Sequence, residues 1–192
     1  MSIYLVRHGE TEWTKTGRHT GTTDLRLTPA GEEQAVRLRP QLAGLNFATV
    51  VVSPRRRAIQ TAELAGFRGH LEVDPRLAEY DYGQYEGLTA AEIDGRRPGW
   101  ELWRDGCPGG ESPDQVLARA QRLLMEWALP PDRNSVLFGH GHILRAVAAA
   151  YLGLPVGFCR SLILRVASIS ILATEHGQPA IESWDLTQPT GV

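Results

Sequence analysis

Lysine, cysteine and long apolar runs are all scarce in this 192-residue chain. Lys15 is the only lysine, so the other cations are arginines, and each must be judged by its position. The two cysteines, Cys107 and Cys159, are too few for a disulfide framework of the secreted kind and lack the spacing of a zinc knuckle. We therefore predict reduced thiols in a cytoplasmic protein.

Charge excess and membrane signals are missing as well. The formal net charge is −2, which gives no general attraction to nucleic acid or to membrane surfaces. The longest apolar stretch, residues 146–154, is too short to span a bilayer and is interrupted by Gly153 and Pro155. No signal-peptide pattern precedes the first apolar segment. We expect no nucleic-acid partner, no membrane association and a cytoplasmic location, and a homo-oligomer stays open.

The sequence does contain short apolar segments that alternate with helical patterns. The apolar segments predict strands at residues 3–6, 49–52, 71–73, 135–138, 168–174 and 180–184. Residues 168–174 alternate in polarity, which favours an edge or antiparallel position. Helices are predicted after Thr28-Pro29, after Ser53-Pro54, after a capping box at Ser112 and after Gly141. This order predicts one α/β domain over residues 1–192, a three-layer sandwich with a mostly parallel central sheet and helices on both faces.

Three of the predicted strands end in residues suited to anion chemistry. These residues are Arg7-His8-Gly9 after the first strand, Ser53-Pro54-Arg55-Arg56-Arg57 after the second and Gly139-His140-Gly141-His142 after the fourth. In a parallel sheet these ends open on the same edge, where ligands bind. Imidazole is a good nucleophile near neutral pH, and guanidinium holds phosphate well. The pattern predicts an anion site and, if His8 is the nucleophile, a phosphoryl-transfer enzyme.

Other interpretations of the same residues stay open at this point. At least two of the three arginines at residues 55–57 fit an exposed first turn of a helix. His140 alone also fits a buried core histidine. His140 and His142 could ligate a metal, but no carboxylate or cysteine lies close to them in sequence. We therefore predict no metal site, and no cofactor.

Taken together, the motifs resemble the histidine phosphatase (phosphoglycerate mutase-like) superfamily. The matching segments, in family order, are residues 7–13 (RHGETEW), 17–21 (GRHTG), 24–28 (DLRLT), 53–62 (SPRRRAIQTA), 77–87 (LAEYDYGQYEG) and 139–141 (GHG). The resemblance implies a phosphoglycerate mutase-like fold and a reaction that passes through a phosphohistidine.

The resemblance implies a role for each matching residue. His8 would accept the phosphoryl group, and Glu79 would give a proton to the leaving oxygen. The implied phosphate-holding residues are Arg7, Arg57 and His140. The implied substrate contacts are Thr20, Gly21, Tyr82 and Gly141. Most family members have Asn where this chain has Thr14, whose hydroxyl can still donate a hydrogen bond to phosphate.

A narrower resemblance concerns residues 103–112. With the segment at residues 139–145, they look like the sedoheptulose-1,7-bisphosphatase-like branch and related small acid phosphatases. In that branch the segment lies near the mouth of the pocket, so Trp103, Arg104 and His142 are candidate substrate contacts. Arg104 would suit a second phosphate. Trp100 and Trp103 fit a hydrophobic cap over the core equally well.

The resemblance favours a phosphatase that hydrolyses a small phosphorylated metabolite, a sugar phosphate or a bisphosphate such as sedoheptulose-1,7-bisphosphate. Family mutases carry a basic residue where this chain has Ala90, and a long Arg-rich insertion where residues 96–112 are short. A pocket without those cations would release its product, which favours hydrolysis. A phosphoglycerate mutase, a regulatory phosphatase or module for phosphohistidine or phosphoprotein partners, and a metal-binding protein remain as alternatives.

Overall fold

A six-stranded sheet forms the centre of the computed structural model, which describes residues 2–69, 71–127 and 133–187. The strands are Ser2–Arg7 (β1), Phe47–Val52 (β2), Glu72–Val73 (β3), Asn134–Gly139 (β4), Ile169–Glu175 (β5) and Gln178–Leu186 (β6). All six predicted strands are confirmed. Short, continuously apolar segments such as β1 and β4 suit the middle of a sheet that is covered on both faces.

The strand order is β3-β2-β4-β1-β5-β6. The β3, β2, β4 and β1 strands pair in parallel. The β5 strand pairs antiparallel with β1, as predicted for residues 168–174, and β6 pairs antiparallel with β5. In the β1–β4 register Arg7 lies opposite Gly139, and in the β2–β4 register Val52 lies opposite Phe138. The segments that follow β1, β2 and β4 therefore leave the sheet side by side, at the edge where open α/β sheets bind ligands.

Helices cover both faces of the sheet, which confirms the three-layer α/β sandwich. They are Glu12–Lys15 (α1), Pro29–Leu42 (α2), Arg56–Leu64 (α3), Ala90–Arg96 (α4), Leu102–Asp105 (α5), Pro113–Glu126 (α6) and Gly141–Leu152 (α7), with 3-10 turns at Pro75–Leu77, Gly83–Tyr85 and Val156–Ser161. One core, which includes Leu38, Ala62 and Phe138, lies under α2 and α3. The other lies under α6 and α7 and includes Leu123 and Ile143.

The start of α3 differs from the prediction. Ser53-Pro54 predicted the helix cap, but the helix begins at Arg56 and Arg55 occupies the cap position. The Ser53 Oγ instead accepts from the backbone N–H of Arg55 at 3.3 Å and lies 2.7 Å from Nε2 of His140. The capping box at Ser112 is confirmed, because its side chain accepts a hydrogen bond from the backbone N–H of Gln115 at 3.2 Å. The sequence pattern did not predict α1, α4 or α5, because each has too few residues to show a helical period.

The two cysteines are buried and free. Burial raises the pKa of both Cys107 and Cys159 to about 12. Because the thiolate is the reactive form, these protonated thiols are unreactive. The apolar stretch at residues 146–154 lies mostly within α7. Among the described residues, no helix has the length and hydropathy needed to cross a bilayer.

Candidate active site

A pocket of about 180 Å3 opens at the carboxyl ends of β1 and β4. It is smaller than the roughly 300–1,000 Å3 that is usual for drug-sized ligands, and it therefore suits a compact polar group. Most of the predicted site residues line it, namely Arg7, His8, Thr14, Thr20, Glu79, Tyr82, Gly141 and His142. The structure thus brings together residues from β1, α1, α7 and three loops.

His8 lies at the wall of the pocket and is almost completely buried. Its Nδ1 lies 2.7 Å from the carbonyl oxygen of Gly9. A carbonyl can only accept a hydrogen bond, so Nδ1 carries the ring proton and Nε2 keeps a free lone pair. Gly9 is needed here because a Cβ at this position would lie 2.4 Å from the backbone oxygen of Gly31. Burial, followed by the charges of Arg57 and Arg7, lowers the pKa of His8 well below its ordinary value.

Arg57 and His140 form a layer behind His8 and do not line the pocket. Both are fully buried, and the rings of His8 and His140 are 5.0 Å apart. The Arg57 Nε–H donates to Nδ1 of His140 at 3.1 Å, so the His140 proton is on Nε2, which lies 2.7 Å from Oγ of Ser53. The other Arg57 nitrogens donate to the carbonyls of Thr20 and Thr23. Arg57 therefore connects His140 to the loop that contains Thr20 and Thr23, and it places a buried positive charge beside His8.

Arg7 reaches the pocket from the end of β1. Its Nη1 donates to the carbonyl of Leu164, while its Nε is buried without a hydrogen-bond partner among the described residues. Gly141 leaves room for this guanidinium, because a Cβ there would lie 3.2 Å from Cζ of Arg7. A buried donor without a partner is costly, which makes Nε of Arg7 a candidate donor to a bound anion.

Glu79 presents a nearly buried carboxylate to the same pocket. Its Oε1 accepts hydrogen bonds from the backbone N–H groups of Tyr80, His142 and Ile143 at 2.9, 3.2 and 2.9 Å. Its Oε2 accepts only from the N–H of His142, at 3.0 Å. The first turn of α7 thus fixes the carboxyl group through Oε1 and leaves Oε2 the more available oxygen for proton transfer.

Tyr82 and His142 form a second polar pair in the wall. The Tyr82 hydroxyl lies 2.5 Å from Nδ1 of His142, and the same nitrogen is 3.9 Å from Oε2 of Glu79. Burial raises the pKa of Tyr82, so its hydroxyl keeps the proton. Burial and then the charge of Arg145 lower the pKa of His142, which keeps that ring neutral. Both predicted contacts therefore lie beside the acid.

Two predicted substrate contacts use their hydrogen-bond donors within the protein. The Thr14 hydroxyl donates to the carbonyl of Thr11 at 2.9 Å in the cap of α1, so its proton is not free for phosphate although Thr14 lines the pocket. The Gly21 N–H donates to both carboxylate oxygens of Glu86 at 3.0 Å, and Gly21 does not line the pocket. Gly21 thus lies outside the pocket wall, and its role as a substrate contact stays a prediction.

Trp103 and Arg104 also lie outside the pocket wall. Trp103 is buried in the core below α6 and α7, with its ring 5.4 Å from that of His142, so the core-cap interpretation holds for it. Arg104 is exposed and donates to Asp105 at 2.6 Å and to the carbonyl of Gly99. The Arg104 guanidinium is thus paired with its neighbour in sequence, and its role as a substrate contact stays a prediction.

Four pocket residues were not predicted, namely Gly17, Arg18, His19 and Arg145. Arg145 lies one turn after Gly141 on α7, lines the pocket and has a buried Nε without a partner among the described residues. His19 also lines the pocket, with its ring parallel to that of His142 at 6.2 Å. Arg18 lines it too, but pairs with Glu92 at 3.2 Å. The helical spacing from Gly141 is a sequence signal that would have identified Arg145.

No group of three or more His, Cys, Asp or Glu side chains suited to a metal ion occurs within residues 2–69, 71–127 and 133–187. The polar groups that do meet in the pocket are a free imidazole nitrogen, the guanidinium groups of Arg7 and Arg145, and a fixed carboxyl group. This set can bind a phosphate, attack its phosphorus and protonate a leaving oxygen.

The comparisons with known proteins agree with that chemistry. Residues 3–187 match the family model of the histidine phosphatase superfamily (branch 1), and the chain belongs to this family. It is 44% identical over 179 residues to an acid phosphatase of Mycobacterium tuberculosis, covering 91% of this chain and 87% of that one. It is 37% identical over 188 residues to sedoheptulose 1,7-bisphosphatase of Saccharomyces cerevisiae, covering 79% and 68%.

A solved structure gives the same result. Mycobacterial glucosyl-3-phosphoglycerate phosphatase, in complex with VO3, superposes with a TM-score of 0.87 at 34% identity, covering 97% of this chain and 99% of that one. The fold is thus that of the histidine phosphatases, and the chain is an enzyme of this phosphatase family.

Proposed function

We propose that this enzyme hydrolyses a small phosphorylated metabolite through a phosphohistidine on His8. The observation that carries the proposal is the state of the His8 ring, whose Nδ1 is bound to the Gly9 carbonyl so that Nε2 is free at the pocket. A ring held in this tautomer needs no base to activate it, because the neutral imidazole is already nucleophilic.

In the first half-reaction, the Nε2 lone pair of His8 attacks phosphorus, and the bond from phosphorus to the ester oxygen breaks. Glu79 in its protonated form gives its proton to that leaving oxygen. Negative charge spreads over the equatorial oxygens of the transition state, where Nε of Arg7 can donate to it. The buried charge of Arg57 adds attraction at longer range.

In the second half-reaction, the Glu79 carboxylate takes a proton from water, and the water oxygen attacks the phosphohistidine. The bond from phosphorus to Nε2 breaks, His8 recovers its lone pair, and inorganic phosphate leaves. The three backbone N–H groups on Oε1 keep the carboxyl group in one orientation through both steps. Oε2 is the oxygen that would carry the proton.

Hydrolysis is favoured over mutase chemistry by the surroundings of the pocket. Ala90 begins α4, and two of the three arginines at residues 96–112, Arg97 and Arg104, bind Asp105 at 3.2 and 2.6 Å, while the third is Arg96. None of these residues lines the pocket. No cation from this segment would therefore retain a cleaved product for return transfer. A requirement for added bisphosphoglycerate would overturn this assignment.

We infer that the substrate carries a second anionic group, as a sugar bisphosphate does. Arg145 supports this inference, because its Nε is buried at the pocket without a partner among the described residues. Burial lowers the pKa of Arg145, but Glu79 and Tyr82 oppose the shift, so the group stays a cation. The likeness to a sedoheptulose 1,7-bisphosphatase points to the same substrate class.

Replacing Arg145 by Met should reduce kcat/KM for sedoheptulose-1,7-bisphosphate by about ten- to a hundredfold, the usual cost of losing a hydrogen bond to a charged group. The loss for a monophosphate of similar size should be much smaller. The matched control is Arg104→Met, which removes an exposed arginine outside the pocket and should leave both substrates unaffected. Equal losses of kcat/KM on both substrates would mean that Arg145 does not bind a second anionic group, and would overturn this inference.

The lowered pKa of His8 predicts activity at acidic pH. A depressed pKa means that the neutral, nucleophilic ring persists below pH 6.5, the ordinary midpoint of histidine. NMR of the imidazole rings should therefore find His8 uncharged at pH 6, where free histidine in the same buffer is mostly charged. After correction for substrate ionisation, kcat/KM should show no decline centred near pH 6.5. A His8 titration at that pH would contradict the buried, cation-flanked site.

A further inference from the structure

A short segment, residues 163–168, binds the side chain of Arg7 and the backbone of Arg7 and His8; we call this segment the strap. The Leu164 carbonyl accepts the hydrogen bond from Nη1 of Arg7. The backbone N–H of Arg7 donates to the carbonyl of Ser168 at 3.1 Å, and the Ala167 N–H donates to the carbonyl of His8 at 3.0 Å. The strap therefore fixes both the backbone of the predicted nucleophile and one arm of the Arg7 guanidinium.

The strap is itself fixed by Asp185, at the end of β6. Asp185 Oδ1 accepts from the backbone N–H of Arg165 at 2.6 Å, and Oδ2 pairs with the Arg165 guanidinium. The Ser168 hydroxyl donates to the Arg165 carbonyl at 2.7 Å, a hydrogen bond within the strap. The Asp185 side chain is only 7% exposed, so its ion pair is partly shielded from water, whereas Arg165 is 63% exposed.

Backbone strain marks the same place. Ala167 and Asp185 adopt positive φ angles of 50° and 56°, which non-glycine residues seldom adopt. Such conformations are unfavourable and persist only where the surroundings enforce them. In this case the enforcing contacts are those that run from Asp185 through the strap to Arg7 and His8.

The opposite side of Arg7 is closed by α7. Because a Cβ on Gly141 would come within 3.2 Å of Cζ of Arg7, the guanidinium has little freedom between α7 and the Leu164 carbonyl. The position of the strap thus decides where the unpartnered Nε of Arg7 points. A small shift of a group that binds the reacting phosphate has a large effect on rate.

We propose that Asp185 is a positioning residue: through Arg165 and the strap, it sets the Arg7 guanidinium for phosphate binding. This inference rests on the proposed function, because it assigns Arg7 to the phosphate. Asp185 itself does not line the pocket and makes no contact with the substrate in this scheme.

The first test compares Asp185→Asn and Arg165→Gln with the unmodified enzyme. Asn tolerates the positive φ and can still accept from the Arg165 N–H, but it loses the ion pair. Calorimetric titration with inorganic phosphate should show about tenfold weaker binding for both variants, and kcat/KM on p-nitrophenyl phosphate should fall similarly. The control is Glu33→Gln, which breaks the exposed Arg37–Glu33 pair outside the pocket wall and should change neither value. Because Arg165 is exposed, Arg165→Gln keeps the test valid if Asp185→Asn fails to fold.

A double-mutant cycle separates positioning from a purely structural role. Lysine at position 7 cannot bridge the Leu164 carbonyl and a phosphate as an arginine fork does. In the Arg7→Lys background, Asp185→Asn should therefore weaken phosphate binding by less than twofold. A full tenfold effect there, or unchanged phosphate affinity in both single variants, would overturn the proposal. Phosphate titration needs no turnover, so this outcome is distinct from the failure of the proposed function, which His8→Ala tests.

Discussion

Replacing His8 by Ala should abolish turnover and remove the phosphorylated form of the protein. Of the other described imidazoles, His142 has its Nδ1 occupied by Tyr82 and His140 lies behind the wall. His19 lines the pocket with its Nδ1 2.8 Å from the carbonyl oxygen of Leu88, but it is His8 that is buried beside the charges of Arg57 and Arg7. Without a nucleophile, the remaining charge and binding groups give only residual catalysis, so a loss of at least about a thousandfold in kcat is expected. Rapid quenching with labelled substrate should show an acid-labile, base-stable phosphoryl group on the unmodified enzyme only.

The matched control for this experiment is His176→Asn, which replaces an exposed histidine in the turn between β5 and β6 by a residue that tolerates its positive φ. This variant should keep full activity and normal labelling. Because His8→Ala retains Arg7 and Glu79, it should still bind inorganic phosphate. Undiminished hydrolysis by His8→Ala, or labelling that persists in it, would remove His8 as the nucleophile.

The positions of the predicted strands and of the three strand ends follow from strong local signals. Apolar β-branched segments as short as β1 and β4 have one stable place, the middle of a covered parallel sheet. Parallel pairing then forces residues 7–9, 53–57 and 139–142 to one edge, whatever their detailed register. This is why the gathering of His8, Arg7 and His140 could be predicted from the sequence.

For three residues, the structure shows a partner within the protein that the sequence pattern did not predict. Arg104 could not be assigned from its charge, because the adjacent Asp105 binds it. Gly21 could not be assigned from its motif, because Glu86 in a distant segment takes its N–H. Ser53 has the signature of a helix cap, yet a buried imidazole is its partner. The partners of Gly21 and Ser53 lie in segments that are distant along the chain, and sequence patterns do not reveal these distances.

The last large effect concerns the acid. Glu79→Gln should reduce kcat by about 10²–10⁴-fold on alkyl phosphates, whose leaving oxygens need a proton. On p-nitrophenyl phosphate the loss in phosphoryl transfer to His8 should be much smaller, because nitrophenolate leaves without protonation. Gln can still accept from the α7 N–H groups that bind Oε1, so the fold and phosphate binding should persist. The measurement is pre-steady-state burst kinetics on both esters.

Burst kinetics also shows what Glu79 does after the first step. With Gln at position 79, no base takes a proton from the attacking water, so the phosphohistidine should form from the aryl ester and then accumulate. Glu32→Gln, an exposed carboxylate on α2, is the control and should leave both phases unchanged. Equal losses on aryl and alkyl esters, with no trapped phosphohistidine, would mean that Glu79 positions the start of α7 and moves no proton. The two results separate these roles because only proton transfer depends on the leaving group.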